Sequence, residues 1–154
     1  MAATDTIPVN LIDQFDSLLD ATRATFPPES CRLLAMREHG DVGYAFFDTR
    51  PAGEPYLYEV YYDRRDGRWS EGSSSNGPGW HLLDPATGLG VLTDWGEAPA
   101  GAERVRVEFQ GEVLEEEVVN GVHLIMWWGI PCPEGLGPRT TAFRINGQWV
   151  PMLQ

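Results

Sequence analysis

Five dipeptides ending in glycine stand between runs that alternate apolar and polar residues or are rich in aromatic and β-branched side chains: His39-Gly40, Asp66-Gly67, Gln110-Gly111, Asn120-Gly121 and Asn146-Gly147. A two-residue hairpin loop needs positive φ, which glycine adopts freely and Asn or Asp tolerates. Asn-Gly and Asp-Gly are strong hairpin signals; His-Gly and Gln-Gly are weaker ones. A chain punctuated in this way folds as a mainly β, antiparallel protein of about ten short strands.

The strands are expected near residues 31–38, 41–48, 56–64, 68–73, 80–83 and 90–96. A meander follows through Glu103–Phe109, Glu112–Val119 and Val122–Trp128, and Thr140–Ile145 pairs with Gln148–Met152. Val105, Val107 and Phe109 alternate with Arg104, Arg106 and Glu108, which marks a strand with one wet face. Between Tyr56 and Asp63 both faces carry bulk, as a strand covered on both sides requires. The segment Glu71–Gly79 reads as a loop, and the Pro/Gly-rich stretch 129–138 as a long connection.

One helix is predicted at about residues 10–26. Leu11, Ile12, Phe15, Leu18, Leu19 and Thr22 share a face at the 3.6-residue period, Asn10 can cap the start, and Pro27-Pro28 stop the end. The expected architecture is an antiparallel sandwich or half-barrel with this N-terminal helix laid on it. It forms one domain over residues 1–154, with a point of subdivision at 71–79.

Composition narrows the chemistry. All eleven basic residues are arginine, which fits a GC-rich bacterial coding bias and, with lysine absent, excludes Schiff-base and P-loop chemistry. The net charge of −12 repels nucleic acid and anionic membranes and favours a basic protein partner, while also serving solubility. Neither a signal peptide nor an apolar run long enough to span a bilayer is visible, so a cytoplasmic location is expected. Cys31 and Cys132 read as free thiols, with a single disulfide as the alternative.

The stretch from Ala102 through the Trp127-Trp128 pair, closing with Thr141-Ala-Phe-Arg-Ile-Asn-Gly147, resembles a C-terminal β-rich module of uncharacterised actinobacterial proteins. In that module a strand, a Gly turn, a strand, an Asx-Gly turn and a strand end in Trp-Trp before a further hairpin. Its relatives have Pro soon after the Trp pair, whereas here Gly129-Ile130 intervene before Pro131. The resemblance implies a sandwich-like β fold and no activity.

No catalytic constellation stands out. Ser73, Ser74 and Ser75 precede His81, yet their spacing is not that of a nucleophile elbow. His39, His81 and His123 fall in separate elements, with no metal-ligand spacing among them. No cofactor and no metal is therefore expected, and catalysis is disfavoured. The candidate binding residues are Glu112, Glu115, Glu116 and Glu117, which crowd one strand, and the adjacent Trp127 and Trp128. Alternation sends Glu115 and Glu117 to one face and Glu112 and Glu116 to the other; one Trp should face the core and one outward. The leading expectation is a non-enzymatic interaction protein, immunity-like in neutralising a basic partner. The alternative is a small-molecule or carbohydrate binder, or an enzyme, with a cavity between helix and sheet. A homo-oligomer joined through the aromatic strip is a third option.

Overall fold

A computed structural model describes residues 14–152. It is mainly β and antiparallel, with its strands in three sheets, as the turn signals require. The chain divides into two compact units, Met1–Gly77 and Pro78–Gln154.

Four of the five hairpin signals take positive φ at both positions: Asp66-Gly67 (53° and 76°), Gln110-Gly111 (51° and 80°), Asn120-Gly121 (56° and 76°) and Asn146-Gly147 (51° and 76°). This doubly left-handed turn twists in the sense that flanking strands twist, so it closes a hairpin without splaying it. The fifth is displaced by one residue. His39 pairs with Val42, the loop is Gly40-Asp41, and only Gly40 is left-handed, at 61°. Glycine in the first loop position is the signature of the alternative hairpin turn.

In the N-terminal unit, β1 (Gln14–Phe15), β5 (Arg68–Ser75), β4 (Leu57–Arg65), β3 (Val42–Asp48) and β2 (Arg32–His39) form one sheet in that order. Helix α1 (Leu18–Thr25) is shorter than the expected span 10–26. Asn10, Leu11 and Ile12 lie outside the described residues. Phe15 is in a strand, because Gln14 and Phe15 pair with Ser70 and Trp69 of β5. Ser17 caps the helix instead, accepting a hydrogen bond from the Asp20 amide at 3.1 Å. The loop expected at 71–79 is also corrected. β5 runs on to Ser75, since Ser74 and Ser75 find ladder partners in Val60 and Glu59 across an irregularity.

The helix does bury its apolar stripe on the sheet. Leu18 and Ala21 pack with Ala45, Phe47, Val60, Tyr62 and Trp69. A fully buried side chain of this size contributes about 1.5–3 kcal/mol. Leu18 reaches the sheet because β3 offers Gly43 there; a Cβ at that position would stand 2.7 Å from a Leu18 methyl. β4 is interior, and its other face is buried too, with Glu59 and Tyr61 beside Tyr44 and Phe46 of β3.

In the C-terminal unit, β10 (Val122–Pro131), β7 (Leu89–Glu97) and β6 (Trp80–Asp84) form one sheet. β12 (Gln148–Pro151), β11 (Arg139–Ile145), β8 (Ala102–Phe109) and β9 (Glu112–Glu117) form the other. Val105, Val107 and Phe143 from the second sheet close on Ile125 from the first, making a sandwich core. β10 extends past the expected end at Trp128. Gly129, at φ 71°, absorbs a bulge, after which Ile130 and Pro131 pair with Gly90 and Leu89, so the connection begins only at Cys132. No helix among the described residues is long and apolar enough to cross a membrane.

Candidate functional site

Among the described residues, β9 is an end strand of its sheet and is hydrogen-bonded to a single neighbour, β8. The two-residue loop Gln110-Gly111 fixes the register, setting Phe109 opposite Glu112, Arg106 opposite Glu115 and Arg104 opposite Glu117. Glu115 and Glu117 thus share a face with the two arginines, while Glu112 and Glu116 sit opposite Phe109 and Val105 on the other face. All four glutamates are nevertheless exposed, on a strand with nothing beyond it in the sheet among the described residues.

The four glutamates are not electrostatically equal. Glu115 is gripped by Arg106 through Nε and Nη2, at 3.1 and 2.9 Å, with Arg104 a further 3.9 Å contact. Arg106 itself stands over the Trp149 ring, its guanidinium carbon 4.0 Å from the ring centre. Glu115 therefore belongs to a ladder running from β9 across β8 to β12. Glu112, Glu116 and Glu117 have no arginine within ion-pair distance among the described residues; Glu116 accepts only the backbone amide of Glu117, at 3.1 Å.

The two tryptophans part company. Trp127 packs on the sandwich core, 5.0 Å from the Phe109 ring, and Trp128 lies half-buried on the opposite face of β10. Trp127 shares its core cluster with Leu114 of β9, which stands between Glu112 and Glu116 on the same face of that strand. The serines are structural: Ser74 bonds the Tyr58 hydroxyl at 3.2 Å, and Ser75 both donates to and accepts from the backbone of Gly77. Both cysteines are free thiols, Cys31 half-buried and Cys132 exposed. Among the described residues no three His, Cys, Asp or Glu side chains converge as metal ligands.

Three further features stand outside that set of candidate residues. Inside the sandwich, His123 is buried with its Nε2 3.5 Å from Asp94, whose carboxylate accepts a hydrogen bond from Thr140 at 3.1 Å. Neither imidazole nitrogen has a hydrogen-bond partner among the described residues. In the N-terminal unit, Tyr44 donates to the buried Glu59 carboxylate at 3.0 Å. Burial, then the charge of Glu59, push the Tyr44 phenol well above its ordinary pKa. Burial likewise raises that of Tyr62, which donates to Thr25.

The third feature is a cavity of about 170 Å³ between α1 and its sheet. Leu19, Thr22 and Phe26 line it from the helix and Leu33 and Phe47 from the strands, with Arg23 at its rim. A larger open groove of about 660 Å³ lies beside the Gln110-Gly111 turn, with exposed Val113 and Leu136 on its walls. Compared with protein-family models, curated proteins and solved structures, the chain has no match in any of the three.

Proposed function

We propose that this protein is a non-enzymatic interaction protein that captures and neutralises a basic partner through the edge of β9. The observation that carries the reading is the uncompensated charge of Glu112, Glu116 and Glu117 on a strand with one open side. An open edge offers backbone groups to an extended segment, and strand addition uses them for affinity. Glutamates on both faces of that edge then select a segment rich in arginine or lysine. The net charge of −12 steers such a partner inward from a distance and raises the association rate at low salt.

Charge on an edge also keeps like chains from pairing. The two roles reinforce each other, because the carboxylates that repel a second acidic copy attract a basic chain. Glu115 is outside the docking set, since its charge is spent on Arg106 and Arg104. The test is reversal of Glu112, Glu116 and Glu117 to arginine, leaving Glu115 intact. Partner capture at low salt should be lost while the fold and thermal stability persist. Retained capture would remove β9 from the function.

A further inference from the structure

The cavity between α1 and the five-stranded sheet has a size and lining that select a ligand class. Engineered cavities of about 150 Å³ walled by Leu, Ile and Phe stay dry and take up benzene. At about 170 Å³, walled by Leu19, Leu33, Phe26 and Phe47, this one has room for a single ring. Phe26 already stands edge-to-face on Phe47, with centroids 4.8 Å apart, and on Tyr58 at 5.7 Å. A planar aromatic guest extends that cluster in the geometry aromatic rings prefer.

The polar atoms narrow the choice further. The Thr22 hydroxyl donates its proton to the Leu19 carbonyl at 2.7 Å, so the largely apolar walls offer too few partners for the many hydroxyls of a sugar. The cation at the rim is different. Arg23 is exposed, and among the described residues it has neither a hydrogen bond nor an ion pair. A half-open apolar pocket with an exposed guanidinium at its mouth matches a guest with an apolar ring and an anionic end. We propose that this cavity binds a single-ring aromatic carboxylate, the ring packed against the Phe26–Phe47 pair and the carboxylate on Arg23. The site lies in the other unit from β9, so either assignment can fail without the other.

Cys31 also borders the cavity, and exposed Cys132 provides an internal control. The experiment follows alkylation of both thiols by mass spectrometry while benzoate is titrated into the whole protein. Saturating benzoate should slow alkylation of Cys31 several-fold and leave Cys132 unchanged. In Arg23→Gln, whose exposed position spares the fold, half-protection should need about fivefold more benzoate, the loss expected for one partly screened ion pair. Benzyl alcohol, which keeps the ring without the charge, should protect wild type and variant at equal concentrations. Unaltered Cys31 alkylation up to millimolar benzoate overturns the proposal, and so does equal benzoate protection of wild type and Arg23→Gln.

Discussion

Glycine placement at single residues decides where this fold tolerates change. A Cβ on Gly90 would strike the carbonyl oxygen of His81 and lie 2.8 Å from the Trp80 ring, both on the paired strand β6. Backbone cannot yield as a side-chain tip does, so Gly90→Ala should destabilise by about 3 kcal/mol in chemical denaturation. Gly77→Ala, with nothing within 4 Å of the added carbon, should stay within about 0.5 kcal/mol. The buried phenols make a second prediction at this scale. Tyr44 and Tyr62 hold their protons more tightly in the folded chain, where both pKa values stand above the ordinary 10.0. Below pH 10 neither state is ionised and their contribution is constant. Above it the unfolded chain loses protons that the folded chain keeps, so stability falls as pH rises. Phenolate absorbance should show that two of the five tyrosines ionise only as the protein unfolds. Reversible ionisation of all five in the folded state would contradict their burial.

At the scale of elements, what was legible in the sequence is what local geometry determines. The glycine turns are local, because a left-handed pair closes a hairpin whatever lies beyond it. The turn even encodes an ion pair: a two-residue loop at 110–111 sets 109 opposite 112 and therefore Arg106 opposite Glu115. Gln110 is the weak member of the set, a poor left-handed residue held at φ 51°. Gln110→Asn should raise stability by up to about 1 kcal/mol, and Gly111→Ala should lower it by about 1–2 kcal/mol, both read from denaturant midpoints. Helix α1 was only partly legible. Phe15 keeps the helical period with Leu18 and Leu19, but its partner is Trp69 on β5, and periodicity carries no information about so distant a neighbour. The same blindness hid Asp94, His123 and Thr140. They meet across a sandwich from three strands, no two of them joined by a tight turn whose register could be counted.

For the whole molecule, composition announced the acidity but not how the charge is distributed. Eleven arginines face twenty-three carboxylate residues, and the described ion pairs show where some of that basicity goes. In the C-terminal unit Arg104 and Arg106 serve Glu115, and Arg139 serves Glu108 at 2.7 Å. What is left on β9 is a row of carboxylates without an arginine partner among the described residues, at a sheet edge that can receive another strand. Trp127, by contrast, packs against the sandwich core, and Trp128 lies half-buried on the other face of β10. The decisive measurement is affinity capture from a lysate of the source organism with wild type and the Glu112, Glu116 and Glu117 to arginine variant, each at low and high salt, read by mass spectrometry. A basic protein held by wild type at low salt, released at high salt and absent from the variant is the predicted result. A partner retained by the variant, indifferent to salt, or acidic in its own composition would contradict it.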